Sequence, residues 1–486
     1  MKKLRCAAFC VLLPTLFTSC ATLDAIKTKI SGGDTATKSI SGATPITKRP
    51  RFLDNVQNQT GQGTKSSASG YQLPESYDEA YSYRTDSPYK NVAALLKDKN
   101  VESLRVANPS GYIKKLCEAI NAAAKNDFEK AKMAHDAVCL LVSYDAKNFW
   151  AGTVPAQDYA SVIKTKTEVC EGYANTFKQF CAELQLRCEK VTGYARGVGT
   201  TLMNEGKPTD SNHAWNLVCL NNAWYLVDCT WDSGHMEGKS AKQDYNTDWL
   251  FLRPEHFIYT HYPDNTRLQL LTPPLSPAQF SAQASLRPKF FEVTSARAPL
   301  TKTIATGERY SYAFTPQAGY VVSFRLVEAA TGQEMQNCTF VTQGADGNGL
   351  QALFSFPKAG TYSVMMFYRK IHEKTAKSCG EFLLEARGAS SVRYPTTFAS
   401  SAKDVAILSP LEMPLAKGKS YHFALRVEGK KFVAVVCGKT FIQLTNDGNG
   451  VFSGDVTLPS GIKELSVTAS NSEKSGYETL VKYSLQ

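Results

Sequence analysis

Residues 212–231 read Asn212-His213-Ala214-Trp215-Asn216-Leu217-Val218-Cys219-Leu220-Asn221-Asn222-Ala223-Trp224-Tyr225-Leu226-Val227-Asp228-Cys229-Thr230-Trp231. Two apolar runs, Ala214 to Leu220 and Trp224 to Cys229, flank an Asn-Asn pair. That pattern predicts a β-hairpin closed by a two-residue turn. With Asn221-Asn222 as the turn, Leu220 faces Ala223; counting back, Trp215 faces Asp228 and His213 faces Thr230. Directly opposed residues share a face of a sheet, and so do residues two apart on one strand. His213, Trp215, Asp228 and Thr230 are therefore expected on one face, with His213 and Asp228 as diagonal neighbours. There Asp228 can accept a hydrogen bond from the imidazole and fix its orientation. A one-residue change in the loop would put the two on opposite faces.

Upstream, Glu168-Val169-Cys170-Glu171-Gly172-Tyr173-Ala174 opens a segment with helical spacing to about residue 186. Tyr173, Phe177, Phe180, Cys181 and Leu184 form its apolar face. Cys170 falls at the helix start, where free N–H groups and partial positive charge favour a thiolate, the nucleophilic form. Gly172 is expected to give a substrate close approach to the backbone. Taken alone, Cys170 reads equally as a buried thiol. Trp215 reads as core, or as a ring that keeps water from His213.

Further stripes predict helices through Val92, Leu95 and Leu96, through Ile113, Leu116, Cys117 and Ile120, and from Phe128 through His135 and Cys139 to Val142. His135, on an apolar face, reads as a core histidine. Glu189 to Tyr194 predicts a short strand. Helices first and strands after make this segment α+β. The connection from Arg196 to Ser211, with Gly197, Gly199 and Gly206, reads either as a lid beside His213 or as a plain connector.

The ends differ from this middle. Lys2, Lys3 and Arg5 precede a short apolar run, Cys6 to Phe17, as in a secretory signal. Residues 20–70 are rich in Ser, Thr, Gly and Lys and cannot bury a core, so a flexible tether is expected. From about residue 290, short strands and Gly/Asn/Asp turns predominate. Gly307 to Phe314 recurs in pattern as Gly418 to Leu425, and Asp346-Gly347-Asn348-Gly349 recurs as Asp447-Gly448-Asn449-Gly450. Two all-β immunoglobulin-like sandwiches are expected, 290–392 and 393–486, after an α+β domain at 71–289. The Asp-Gly-Asn-Gly repeats read as tight turns rather than calcium loops, since no Glu follows at the offset an EF-hand needs.

A chain of 486 residues is too long for one core, which agrees with several domains. The formal charge of +11 is spread along the sequence, with no basic stripe interleaved with aromatics, so no nucleic-acid partner is expected. The thirteen cysteines show neither the density of a disulfide scaffold nor a CxxC pair for zinc, and no metal or cofactor is expected. Cys338 and Cys379 could bridge within one β domain.

Taken together, VCEGYA opening a helix, NHAWN opening a strand and VDCTWD closing the next resemble the transglutaminase-like superfamily of papain-type folds. The segment Trp249 to Pro263 is similar to the branch that includes kyphoscoliosis peptidase and fungal cytokinesis proteins. The resemblance spans roughly residues 110 to 290. It implies a Cys170 nucleophile, a His213 base and an orienting Asp228, which attack a peptide or carboxamide carbonyl to form an acyl-enzyme. Water then gives peptidase or amidase action, and an amine gives transamidation. The Cys170 N–H and a second donor, with Gln157 as candidate, would hold the oxyanion. The alternative is a silent scaffold that binds envelope proteins or peptides. Leu16-Phe17-Thr18-Ser19-Cys20 resembles a bacterial lipobox, with Phe17 departing from the usual Leu. That implies acylation of Cys20 and anchoring in the cell envelope, on the periplasmic face of the outer membrane or the cell surface, near peptidoglycan peptides and envelope proteins.

Overall fold

The computed structural model describes residues 70–197, 200–295, 301–343, 349–398 and 405–486. The signal, Cys20 and the tether to residue 69 lie outside these, as does Asp346-Gly347-Asn348. Residues Ser69–Gln486 form one compact unit. Among the described residues no helix is long and apolar enough to cross a membrane.

The predicted helical stripes form helices. Pro109–Ala123 starts with Pro at its first position, and the Asn108 side chain accepts from the Gly111 N–H. Asp127–Leu141 is capped in the same way by Asn126. Both bury their apolar faces against Cys170–Glu183, whose predicted face is wholly buried. This third helix stops three residues short of expectation, because Gln185 takes a left-handed conformation (φ 60°) that turns the chain into the next strand.

Behind the helices stands an antiparallel sheet in the order Ala223–Val227, His213–Leu220, Arg187–Ala195, His261–Pro263. The hairpin register is the expected one, Leu220 opposite Ala223, with Asn221 and Asn222 both left-handed (φ 49° and 62°) as a type I′ turn requires. Its second strand ends earlier than predicted, at Val227. Asp228 caps a short helix, Cys229–Ser233, by accepting the Thr230 and Trp231 N–H groups on its side chain. A capping carboxylate offered the backbone a helical turn in place of two more ladder bonds, so Thr230 does not sit opposite His213.

The remainder is β-rich, with four sheets around two cores among the described residues. The recurring segments occupy strands Arg309–Phe314 and Ser420–Val427. At the second Asp-Gly-Asn-Gly, Asp447 Oδ1 accepts the Asn449 and Val451 N–H groups, which makes a closed turn. Cys338 and Cys379 are separate buried thiols, not a bridge. The expected boundary after residue 289 is crossed by packing. Ser285–Leu286 adds to strand Lys377–Ala386, and Leu286, Phe290 and Val293 enter the first β-rich core.

Gly193 sits at the centre of the sheet, paired with His213 on one side and Pro263 on the other. A Cβ there would lie 2.2 Å from the Tyr262 carbonyl oxygen and 2.8 Å from the Trp215 ring. Gly193→Ala is expected to destabilise the domain by about 1–3 kcal/mol, the range for overpacking. The shift in urea midpoint measures this, and an unchanged midpoint would mean that the sheet yields freely there.

Candidate active site

Cys170 is the first residue of helix Cys170–Glu183 and is partly exposed, whereas most other described cysteines are buried. His213 begins its strand, His213–Leu220, and its side chain meets that of Cys170. The imidazole Nε2 lies 2.8 Å from Asp228 Oδ2, which leaves Nδ1 to meet the Cys170 side chain. Its ring lies between Trp231, 5.3 Å away between centroids, and Trp215, 6.1 Å away and nearly parallel.

Asp228 is fully buried and accepts four hydrogen bonds. Oδ1 takes the Thr230 and Trp231 N–H groups at 2.9 and 3.2 Å. Oδ2 takes His213 at 2.8 Å and His261 at 3.2 Å. Burial alone would push this carboxyl up, but the His213 charge and the bonds from both imidazoles override burial and hold it well below the usual carboxylate range. Burial alone would likewise discharge His213. The Asp228 carboxylate, and after it the Cys170 side chain, instead push the imidazole up to about 10, so it carries a proton at neutral pH. His261 goes the other way. Burial takes it down to about 4, against the pull of Asp228, so it is neutral and donates its Nε2–H to the carboxylate. Thr260 Oγ1 lies 2.9 Å from the other ring nitrogen.

His261 and Thr260 are the residues that sequence reading passed over. His261 lies within the Trp249–Pro263 segment that carries the family resemblance. Its strand lies at the far edge of the sheet, three positions from the strand Ala223–Val227 that leads into Asp228, so no hairpin parity could align them.

Two expectations need revision, and one open choice, lid or plain connector, is narrowed toward the connector. The Gln157 amide donates to Pro155 O and to Glu168, while its Oε1 accepts the Gly172 N–H at 3.1 Å. Both donors are thus committed to the fold rather than offered to an oxyanion. Gly172 is buried, and a Cβ on it would lie 2.7 Å from the Glu168 Cβ, so glycine is there for close packing rather than substrate approach. The Arg196–Ser211 connection, apart from residues 198–199, which lie outside the described set, is held down. Arg196 donates to the Tyr259, Phe280 and Ala284 carbonyls, and the Leu202 N–H reaches Glu381 of the β-rich region. Trp215 is buried, which fits both of its readings.

Two groups bring three potential metal-ligand atoms within 4.8 Å of one another: His213, Asp228 and His261, and separately His135, Cys139 and Cys229. In the first, the contacts have the lengths of imidazole–carboxylate hydrogen bonds.

The sequence profile of the Transglutaminase-like superfamily matches residues 114–229, a stretch that contains Cys170, His213 and Asp228. Kyphoscoliosis peptidase of Mus musculus is 29% identical over 199 residues, 40% of this chain and 30% of that protein. Cytokinesis protein 3 of Schizosaccharomyces pombe is 30% identical over 122 residues, 24% of this chain and 14% of that protein. The chain thus spans under a third of the length of these relatives. A solved structure described as a TGase covers 34% of this chain and 41% of its own at 21% identity, with a TM-score of 0.21. The chain carries a transglutaminase-like domain.

Asp228→Asn removes the anion that favours the His213 cation, so the His213 pKa falls. Histidine-labelled NMR is expected to show its midpoint moving down from about 10. An unmoved midpoint would mean that the carboxylate does not hold the charge.

Proposed function

We propose that the domain is a cysteine-nucleophile enzyme that transfers acyl groups from peptide or carboxamide bonds, acting as a peptidase, amidase or protein-glutamine transamidase. The observation that carries this reading is the His213–Asp228 hydrogen bond of 2.8 Å, with the Cys170 side chain as the other partner of the same imidazole.

The roles follow from that arrangement. Cys170 Sγ, as thiolate, attacks the carbonyl carbon, and an S–C bond forms as the C–O π pair moves to oxygen. The Cys170 N–H at the helix start faces that developing charge. The His213 imidazolium gives its proton to the leaving amine as the C–N bond breaks, which leaves a thioester. Water or an amine then attacks the thioester, and His213 takes the proton that is released. Asp228 keeps the imidazole aimed throughout and favours its charged form before and after the proton is passed, and neutral His261 keeps Asp228 aimed.

In this reading Cys20 carries the lipid that anchors the chain in a bacterial cell envelope, and the regions 290–392 and 393–486 are immunoglobulin-like modules beside the enzyme. The substrates would be envelope proteins or peptidoglycan peptides.

The test is alkylation of Cys170 across pH, read by peptide mapping, beside His213→Ala. Rapid labelling well below neutral pH, lost in the variant, is the expected result. Labelling that climbs only near the free-thiol value of about 8.5, identical in both proteins, would reject the enzyme and leave the scaffold reading. Turnover of a peptide amide should fall about 10²–10⁴-fold in His213→Ala. The ratio of hydrolysed to amine-linked product then assigns peptidase or transamidase action.

A further inference from the structure

Beneath the active site a second set of reactive side chains meets. His135 and Cys139 are one turn apart on helix Asp127–Leu141, and Cys229 and Asp232 are three apart in helix Cys229–Ser233. All four are buried, at 0–2% exposure. His135 Nε2 lies 3.0 Å from Asp232 Oδ2 and 3.5 Å from Cys139 Sγ, and the Cys229 sulfur is within 4.8 Å of both the His135 and Cys139 donors.

We propose that His135, Cys139 and Cys229 form a site for a zinc-class divalent cation in the core of the domain, with Asp232, hydrogen-bonded to His135, swinging in as the fourth ligand. Metal–sulfur bonds of about 2.3 Å and metal–nitrogen bonds of about 2.05 Å, at tetrahedral angles, set the N···S separation at about 3.5 Å, and N···O comes to about 3.3 Å. The observed His135–Cys139 separation of 3.5 Å matches the N···S value, whereas Asp232 Oδ2, 3.0 Å from the imidazole, must move off its hydrogen bond to join the cation. Two sulfurs, an imidazole and a carboxylate form a donor set that suits zinc better than magnesium or calcium.

The outer partners are those of a metal site. His135 points Nδ1 at Asp136 Oδ1, 3.4 Å away. Asp136 is in turn held by Lys132 at 2.6 Å and by the Tyr245 hydroxyl. The other oxygen of Asp232 accepts the Trp249 N–H at 3.0 Å. A ligating histidine that donates its second nitrogen to a carboxylate is the usual way to fix the ring for a metal. The Cys139 thiol donates to the Cys229 carbonyl oxygen, 3.4 Å away. On binding, both thiol protons and the proton held between His135 Nε2 and Asp232 leave to solvent, so the sulfurs bind as thiolates and Nε2 offers its lone pair. The cation would tie helix Asp127–Leu141 to the short helix whose cap is Asp228, so it would brace the candidate active site without touching substrate.

The experiment uses the full chain carrying Cys170→Ala and Cys188→Ala, which removes both partly exposed thiols among the described residues from the measurement. The chain is purified without chelator, assayed for metal, then refolded with cobalt(II). One cobalt per chain is expected, with a near-ultraviolet thiolate-to-cobalt band and intense visible bands of tetrahedral cobalt. Adding Cys139→Ser or Cys229→Ser should abolish the thiolate band, and adding His213→Ala should leave it. If the serine variants fail to fold, the protein carrying Cys170→Ala and Cys188→Ala decides alone: zinc should raise its melting temperature and chelator should lower it. Absence of bound metal with no cobalt uptake would overturn the proposal and leave a hydrogen-bonded core. A Cys139–Cys229 disulfide in protein isolated without reductant would overturn it in favour of a redox pair.

Discussion

The carboxylate of Asp228 is the point on which the site depends. It ends one strand, starts one helix and takes the imidazoles of two other strands, so four chain segments converge on two oxygens. A buried anion of this kind is costly unless every lone pair finds a donor. Here all four bonds are made, and two of the donors are backbone amides that cannot rotate away. Charge then passes outward: because Asp228 stays ionised, His213 keeps its proton although it is largely withdrawn from solvent. His261, on the same oxygen, is driven neutral by that same burial. One anion thus sorts two histidines into a charged donor and a neutral prop.

The sheet meets this demand through packing. The strand His261–Pro263 and the Trp215 ring can close on the sheet at Gly193, opposite His213, because that residue has no side chain. The rings of Trp215, Trp231 and Phe257 surround the two imidazoles, with Phe257 4.1 Å from His261 between centroids. This aromatic wall lowers the local polarity, which strengthens the imidazole–carboxylate bonds it encloses.

What was legible in the sequence was local. The Asn-Asn turn fixes a register, the register fixes parity, and parity puts His213 and Asp228 on one face before any fold is known. The apolar stripe from Tyr173 to Leu184 places Cys170 at a helix start by counting alone. What was not legible depended on contacts between distant segments or on competition for one group. His261 reaches Asp228 across a sheet whose strand order no hairpin rule gives. Gln157 lost its amide to Glu168 and Pro155, a choice made by the loop's path. Asp228 reads as a strand residue because its flanks are apolar, yet as a cap it outcompeted the ladder. The buried donors escaped a search for paired cysteines because they come as His135-x3-Cys139 and Cys229-x2-Asp232. Those spacings put two donors on one side of each helix, but 90 residues separate Cys139 from Cys229.

The short strand Ser285–Leu286 has a bearing on how this protein can be divided. It leaves the transglutaminase-like domain and adds to strand Lys377–Ala386, opposite Gly380 and Glu381, while Leu286, Phe290 and Val293 fill the adjoining core. A fragment begun at residue 290 therefore loses the Ser285–Leu286 cover over Gly380 and Glu381 and leaves part of that core bare. Unpaired sheet edges of this kind recruit strands from other molecules. Proteolysis at that junction would thus bare an edge open to self-association, which the covering strand guards against.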